Sequence, residues 1–440
     1  MSLNLSETER SKPYLDLRLK YVSKAVPLTH PITIARGSNE FVYDTEGNSY
    51  IDLTSGIGVT SLGHCNPELI EVAQQALKHL WHTCIMVANY PSYVELAREI
   101  SEAMPISGSK KAMFFNSGAE AIENAVKTAR AYSGKPYTAS FIGSFHGRTV
   151  FTLALTGKYK PYKVGFEPLA SHVIKVPYPY CYRLGIDDED ECTNIVMNAV
   201  ELAVDIDLSP DVIAAFLVEP VQGEGGFVVP PKKFLKELES FLRRRNIMLI
   251  VDEIQTGYCR TGRFMAFEHF GVDPDLVTLG KAIANGLPLS AVVGRADALD
   301  KMSPGMMGGT YGGNPVAVNV ALKVLEIMKR DRICEKVERL GDYMSRRLEE
   351  LKERHDMIGD HRGLGVMRAL EFVRDRRTRE PNPEVVSRIV EEARKRGLLI
   401  LKAGYYNNVV RLHPPLTIPL ESLEKGLNIL EEAIKASLGG

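Results

Sequence analysis

Two residues of this chain could do covalent chemistry together. Asp252 ends the unbroken apolar run 247–251, and Lys281 follows Gly280 after the apolar run Leu276–Leu279. Apolar runs of this length between turn residues read as buried strands. A carboxylate at the tip of such a strand needs a partner, because burying a charge alone is costly. A lysine at a partly dry strand end can shed its proton and condense with an aldehyde. An ionised carboxylate can keep a pyridine nitrogen protonated. Pyridoxal 5'-phosphate asks for both groups, a lysine for its aldehyde and an acid for its ring nitrogen. The plainer alternative makes Asp252 a helix cap and Lys281 one more solvated surface lysine.

A phosphorylated cofactor also needs an anion site. Residues 114–120 run Phe-Phe-Asn-Ser-Gly-Ala-Glu, a strand, a turn and then a helix. The helix repeats Ile122, Ala125, Val126 and Ala129 on one face of 3.6-residue period. Its first amides and the Ser117 hydroxyl could hold a phosphate, with Gly118 allowing close approach. Ser-Gly turns without a ligand are common in α/β chains, so this loop gains its weight from Asp252 and Lys281.

The elements that must carry these residues follow from the same patterns. Strands are expected at 112–115, 138–142, 214–220, 247–251, 276–279 and 291–294, with helices from Glu120 and over 234–246. Alternation of this kind predicts a mostly parallel sheet, whose carboxyl edge binds ligands. Residues 159–209 read as a long insertion, with the acidic run 187–191 as a surface loop. Beyond Pro315 come long helices at 316–330 and 333–356 and strands at 366–373, 398–404 and 409–416. A helix at 384–396 stopped by Gly397 and a last helix at 420–437 complete an α+β pattern. Residues 1–30 read as a polar arm with some helix, followed by short strands to about residue 53 and a helix over 67–79. The N-terminal strands are expected to join the C-terminal domain, because both flank the α/β unit. The expected division is 1–62 for the arm and part of the small domain, 63–320 for the large domain and 321–440 for the C-terminal small domain.

Composition narrows the classes. The chain has 440 residues and a net charge of −1, so it offers no basic footprint for nucleic acid. No run is long and apolar enough to span a membrane. The N-terminus lacks the apolar core of a signal peptide. Cys65, Cys84, Cys181, Cys192, Cys259 and Cys334 show no CxxC pair and no metal-ligand spacing. They read as reduced thiols of a cytoplasmic protein without a metal.

Six motifs together carry a resemblance: NSGAEA at 116–121, FHGRT at 145–149, EPVQGEGG at 219–226, DEIQTG at 252–257, GKA at 280–282 and TYGGNP at 310–315. In this order they resemble the class-III (ω-) aminotransferases, and among them the 4-aminobutyrate enzymes. The resemblance implies an α/β fold of type I, with a mostly parallel seven-stranded sheet in the large domain and a smaller α+β domain. It implies pyridoxal phosphate, bonded to Lys281 and salt-bridged through its ring nitrogen to Asp252. Gln255 would meet the ring hydroxyl, and Ser117, Gly118 and Ala119 the phosphate. Phe145 would stack on the ring with His146 beside it, although a hydrogen-bonded structural histidine is the plainer reading of both His64 and His146. Thr310 would reach the phosphate of a neighbouring subunit's cofactor, which implies a homodimer or higher homo-oligomer with composite sites.

For the substrate, the resemblance assigns Arg411 to an α-carboxylate, Arg148 to a distal carboxylate and Glu224 to shielding the Arg411 charge. Ile57 falls where 4-aminobutyrate enzymes carry an aliphatic residue. These assignments imply transfer of the amino group of an ω-amino acid such as 4-aminobutyrate to 2-oxoglutarate, by a ping-pong cycle. Amino-acid racemases of the same family use the same lysine, aspartate and phosphate contacts, and ornithine and acetylornithine aminotransferases are closer alternatives. A non-enzymatic protein of this fold is disfavoured because Asp252 and Lys281 are both present. A nicotinamide oxidoreductase is disfavoured because no GxGxxG opens a first βα unit.

Overall fold

A computed structural model describes residues 11–438; the first part of the N-terminal arm, residues 1–10, lies outside the described residues. The chain forms two compact units. One is Glu68–Val337, and the other joins the chain up to Pro67 with everything from Glu338 on. The helix Pro315–Arg330 therefore belongs to the large unit, and the second boundary falls inside the helix Ile333–Arg354 rather than at residue 320. A periodic helix carries no mark of which core it packs on, so this boundary is invisible to pattern reading.

The large unit holds a seven-stranded sheet. Its order is Lys110–Phe115, Ser290–Arg295, Leu276–Leu279, Met248–Asp252, Ile213–Val218, Tyr137–Phe141, Val173–Val176. The five strands from Leu276–Leu279 to Val173–Val176 are parallel, while Ser290–Arg295 runs antiparallel to both neighbours. Ile213–Val218 and Met248–Asp252 are buried along their whole length, as strands covered on both faces must be. The helix Gly118–Ser133 packs Ile122, Ala125, Val126 and Ala129 onto Leu217, Ile250 and Val292. The helix Phe234–Arg243 buries Phe234, Leu235, Leu238, Phe241 and Leu242. Each such large side chain contributes about 1.5–3 kcal/mol on burial.

The insertion at 159–209 holds an element that pattern reading does not find, and one expectation for it fails. Val173–Val176 is an edge strand whose Lys175 breaks the apolar run that would have marked it. The acidic run does not form a loop but opens the helix Glu189–Leu202. Asp188 caps it by accepting the Glu191 amide at 2.8 Å, and Glu189, Asp190 and Glu191 sit in its first turn, where the helix dipole favours negative charge.

The smaller unit contains two four-stranded sheets. In the first, Ile34–Ser38, Phe41–Asp44 and Ser49–Asp52 pair in order, and Leu398–Leu399 adds a parallel strand beside Ile51 and Asp52. The N-terminal strands thus pair with the C-terminal segment. In the second, Ile358–Leu364, Met367–Phe372, Val409–Leu412 and Leu401–Ala403 lie side by side. The run 398–404 is therefore two strands in different sheets, divided at Ile400. His64 Nε2 donates to Asp52 Oδ2 at 2.8 Å, as a structural histidine would.

The reading of the cysteines also needs correction. Cys181 is bonded to Cys192 and Cys259 to Cys334, while Cys65 and Cys84 are free thiols. The second pair lies 75 residues apart in sequence yet has its Cα atoms 4.6 Å apart. Only the fold brings such a pair together, so spacing carries no signal of it. The cysteines accordingly give no support to a reducing compartment. Among the described residues, no helix is long and apolar enough to cross a membrane.

Candidate active site

Asp252 is the last residue of its strand and stands in register with Thr278 on the next parallel strand. Lys281 comes three residues after Thr278, so the two groups leave the sheet at the same edge. Both line one cavity of about 240 Å³, together with Gly118, Ala119, Phe145, His146, Glu219, Glu224, Ile254 and Gln255. Asp252 is only 4% exposed, which excludes a solvent-facing cap. Lys281 is half-buried and adopts a left-handed backbone, φ 44°, a conformation a non-glycine residue holds only where its surroundings fix it.

Asp252 is held by donors on both oxygens. His146 Nδ1 lies 2.8 Å from Oδ2, while the Ile254 amide at 3.1 Å and Thr278 Oγ1 at 3.3 Å approach Oδ1. Burial pushes the His146 pKa down, against the opposing pull of the Asp252 charge. A neutral imidazole here donates Nδ1–H to Asp252 and leaves Nε2 bare. That Nε2 atom is buried and has no hydrogen-bond partner among the described residues. His146 is thus a hydrogen-bond partner of Asp252 and also lines the cavity.

A second carboxylate was missed by the sequence reading. Glu219 closes the buried strand Ile213–Val218 just as Asp252 closes its neighbour, so the rule that found one acid applied equally to the other. Glu219 Oε2 accepts the Phe145 amide at 2.9 Å, and Oε1 accepts the Gly223 amide at 3.0 Å. Burial, then the nearby Asp252 charge, push its carboxyl up to about 8. Glu253, the next residue after Asp252, is buried and accepts the Phe267 amide at 2.8 Å and the Thr256 hydroxyl.

The strand, turn and helix expected around residues 114–120 are present. Ser117 is the N-cap of Gly118–Ser133, its hydroxyl accepting the Glu120 amide at 3.3 Å. The first amides of the helix, at Gly118 and Ala119, have no partner one turn back and point out of the N-terminus. A Cβ at Gly118 would come within 2.9 Å of Ile254 Cδ1, and one at Gly280 within 3.2 Å of Ile254 Cγ2. Ile254 therefore packs between the cradle and the turn that carries Lys281. Only small residues permit that closeness.

The donor set fits pyridoxal phosphate. A helix N-terminus lies in one cavity with an acid and an amine. The buried Gln255 Oε1 has no hydrogen-bond partner among the described residues, so a polar group is owed to it. Gln255 itself abuts Gly223, where a Cβ would fall 1.9 Å from Oε1.

The other expected residues lie elsewhere. Ser117 is exposed and does not line the cavity. Arg148 is exposed, its guanidinium 5.0 Å from the Tyr162 ring centroid and 5.9 Å from that of Phe145. Tyr162, not singled out from the sequence, donates its hydroxyl to Glu224 Oε2 at 3.4 Å. Thr310 is exposed and does not line the cavity. Ile57 and Arg411 belong to the smaller unit, Ile57 exposed with φ 68° and Arg411 buried on the strand Val409–Leu412.

Comparison with known proteins agrees with this construction. The chain is 42% identical over 421 residues to a probable 4-aminobutyrate aminotransferase of Bacillus subtilis (strain 168), covering 95% of this chain and 96% of the relative. It is 42% identical over 428 residues to the 5-aminovalerate aminotransferase DavT of Pseudomonas aeruginosa, covering 97% and 99%. Among solved structures, a Bacillus anthracis aminotransferase superposes with a TM-score of 0.89 at 29% identity, covering 98% of this chain and all of that one. A thermostable (S)-enantioselective ω-transaminase from Thermomicrobium roseum gives 0.90 at 30% identity, covering 98% and 99%. The family description "Aminotransferase class-III" matches residues 21–434, nearly the whole chain and every strand-end residue of the cavity. Enzymes of this family depend on pyridoxal phosphate, and the chain belongs to the class-III aminotransferases.

Proposed function

We propose that this enzyme moves the amino group of an ω-amino acid, of the 4-aminobutyrate or 5-aminovalerate kind, to 2-oxoglutarate. The observation that carries this reading is the convergence of Asp252, Lys281, Gln255 and the Gly118 helix terminus on one cavity, in a chain whose relatives bear those two names. When bound, the cofactor supplies an aldehyde carbon for the amino group and an electron-withdrawing ring. The chain's own residues do the rest. Asp252, fixed by His146 and Thr278, meets the ring nitrogen. Gln255 meets the ring hydroxyl, and Gly118, Ala119 and Ser117 take the phosphate. Phe145 covers the ring face, its amide pinned by Glu219. Lys281 Nζ takes the proton from the carbon that bears the amino group and later returns one. Arg148 and Arg411 are assigned to the two carboxylates of the acceptor, Glu224 to shielding charge while the donor amine enters, and Ile57 to the substrate side.

A second copy of the chain completes this reading. Trp81, Met86, Val87, Met306 and Tyr311 are exposed large apolar residues. The segments that bear them touch, with the His82 and Tyr311 rings 5.5 Å apart, and they adjoin Thr310. A homodimer seated on this patch would bring Thr310 to the partner's phosphate, the role the family resemblance gives it.

The test is a screen of amino donors with 2-oxoglutarate, run beside a racemisation assay. The expected result is one glutamate formed per semialdehyde, with parallel double-reciprocal lines. Chiral scrambling of an L-amino acid without release of its oxo acid would overturn the transfer reading in favour of a racemase.

A further inference from the structure

The loop after Asp252 carries Gln255 and then enters a backbone that side chains rarely adopt. Tyr258 and Cys259 are consecutive left-handed residues, φ 57° and 64°. Two such residues in sequence persist only where something outside the loop fixes them. Around the pair, the Cys259 amide reaches the Phe264 carbonyl at 3.3 Å and the Arg260 amide the Gly257 carbonyl at 3.5 Å, while the Gly257 amide to the Glu253 carbonyl at 2.9 Å and the Gly262 amide to the Cys259 carbonyl at 3.0 Å are of ordinary length. The outside tie is covalent. Cys259 is bonded to Cys334, the second residue of the helix Ile333–Arg354. Both cysteines line an open cavity of about 1040 Å³, with Phe264, Leu322, Lys323 and Met328 among its walls. Cys259 is 1% exposed, while Cys334 is half-exposed.

We propose that the Cys259–Cys334 disulfide is a thiol-exchange site, open to small dithiols through this cavity, whose reduction loosens the Gln255 loop and its hold on the cofactor. The second half of this statement rests on the assignment of Gln255 to the cofactor; the first half does not. A thiolate of the dithiol attacks Cys334 Sγ, the accessible sulfur. The S–S bond breaks, and Cys259 Sγ leaves with the electron pair and takes a proton from water. The second thiol of the reagent then displaces Cys334 Sγ, which also takes a proton. The protein is reduced by two electrons, and the reagent leaves as a cyclic disulfide. Freed of the tie, the left-handed pair at 258–259 can relax, and Gln255 four residues earlier loses its fixed position.

The experiment treats wild-type holoenzyme with dithiothreitol under native conditions, then alkylates and maps the labelled peptides. Cofactor dissociation and the melting midpoint are followed in parallel. Cys259 and Cys334 are expected to label without denaturant. Cofactor release should become about ten-fold faster, the loss of one hydrogen bond to a bound group. The midpoint should fall by on the order of 10 °C, as for opening a long covalent loop. Reoxidation should restore both. Cys334→Ser should show the reduced behaviour without reductant and ignore further dithiothreitol, which separates this pair from Cys181–Cys192. Labelling only after denaturation overturns the exchange site. Native labelling with unchanged cofactor release, or a Cys334→Ser enzyme that still responds like wild type, overturns the coupling. An oxidised enzyme that never shows a borohydride-sensitive visible band would instead overturn the cofactor assignment, while the peptide map still decides the exchange site.

Discussion

At the scale of single residues, the proposed function separates a group that reacts from groups that hold it in place. Lys281 is the only member of the cavity given a covalent role. Lys281→Ala should abolish turnover yet still take up pyridoxal phosphate through the helix terminus and Asp252. An absorption spectrum with no borohydride-reducible protein adduct, beside cofactor recovered on denaturation, would check this. Glu219 makes a different prediction. Burial and the Asp252 charge raise its carboxyl to about 8, and burial raises that of Glu253 to about 7. In the unfolded chain both ionise near pH 4.3. Between those limits the folded protein holds protons that the unfolded chain has lost, so their contribution to stability is present at low pH and fades as the pH rises toward 8. Glu219→Gln removes its share of that slope. The variant should gain on wild type between pH 5 and pH 8, by about 3 kcal/mol. Calorimetric melts of both proteins at a series of pH values would read the difference, and a constant gap would show Glu219 ionised throughout.

At the scale of elements, the geometry depends on close approach between loops, and here the legibility of the sequence has a physical limit. The strand ends at Asp252 and Leu279 were legible because a buried parallel strand must be apolar and a terminal charge stands out against it. The cradle was legible because a strand, a Ser-Gly turn and a 3.6-period helix follow one another directly. Glu219 obeyed the same rule and went unread because Pro220 and the glycines after it look like an ordinary turn. Val173–Val176 went unread because Lys175 interrupts it, and the Cys259–Cys334 bond because contacts across 75 residues leave no local trace. Gly223 shows what such hidden contacts demand. A methyl there would fall 1.9 Å from Gln255 Oε1, so Gly223→Ala must expel the Gln255 amide from its place. Overpacking of this kind costs about 1–3 kcal/mol. If Gln255 meets the ring hydroxyl, Gly223→Ala should shift the visible band and weaken cofactor binding about ten-fold or more, since a group worth about 1.4 kcal/mol is lost. Spectral titration of the apoenzyme with the cofactor would measure it.

At the scale of the whole molecule, the exposed surface is as informative as the core. Trp81 is 72% exposed and Val87 83%, beside Met86, Met306 and Tyr311. A large apolar patch of this kind on a single chain marks a surface that another molecule covers. The patch borders Thr310, which the resemblance assigns to a partner's phosphate, and Thr310 lies outside its own chain's cavity. In the dimer proposed above, each chain of a twofold pair would finish the other's cradle. Sedimentation should then find twice the 48.8 kDa mass of one chain, or a multiple of that pair. Val87→Asp would place a charge in the interface and should dissociate it, because burying an unpaired carboxylate there costs several kcal/mol, of order 3–5. The separated chain should retain its folded spectrum and lose most of its affinity for the cofactor. Thr310→Ala should leave the pair intact and weaken the cofactor by one hydrogen bond to a phosphate, about 1.5–3 kcal/mol. A fully active monomer, or a Thr310→Ala enzyme that binds the cofactor as tightly as wild type, would show that each chain holds a complete site alone.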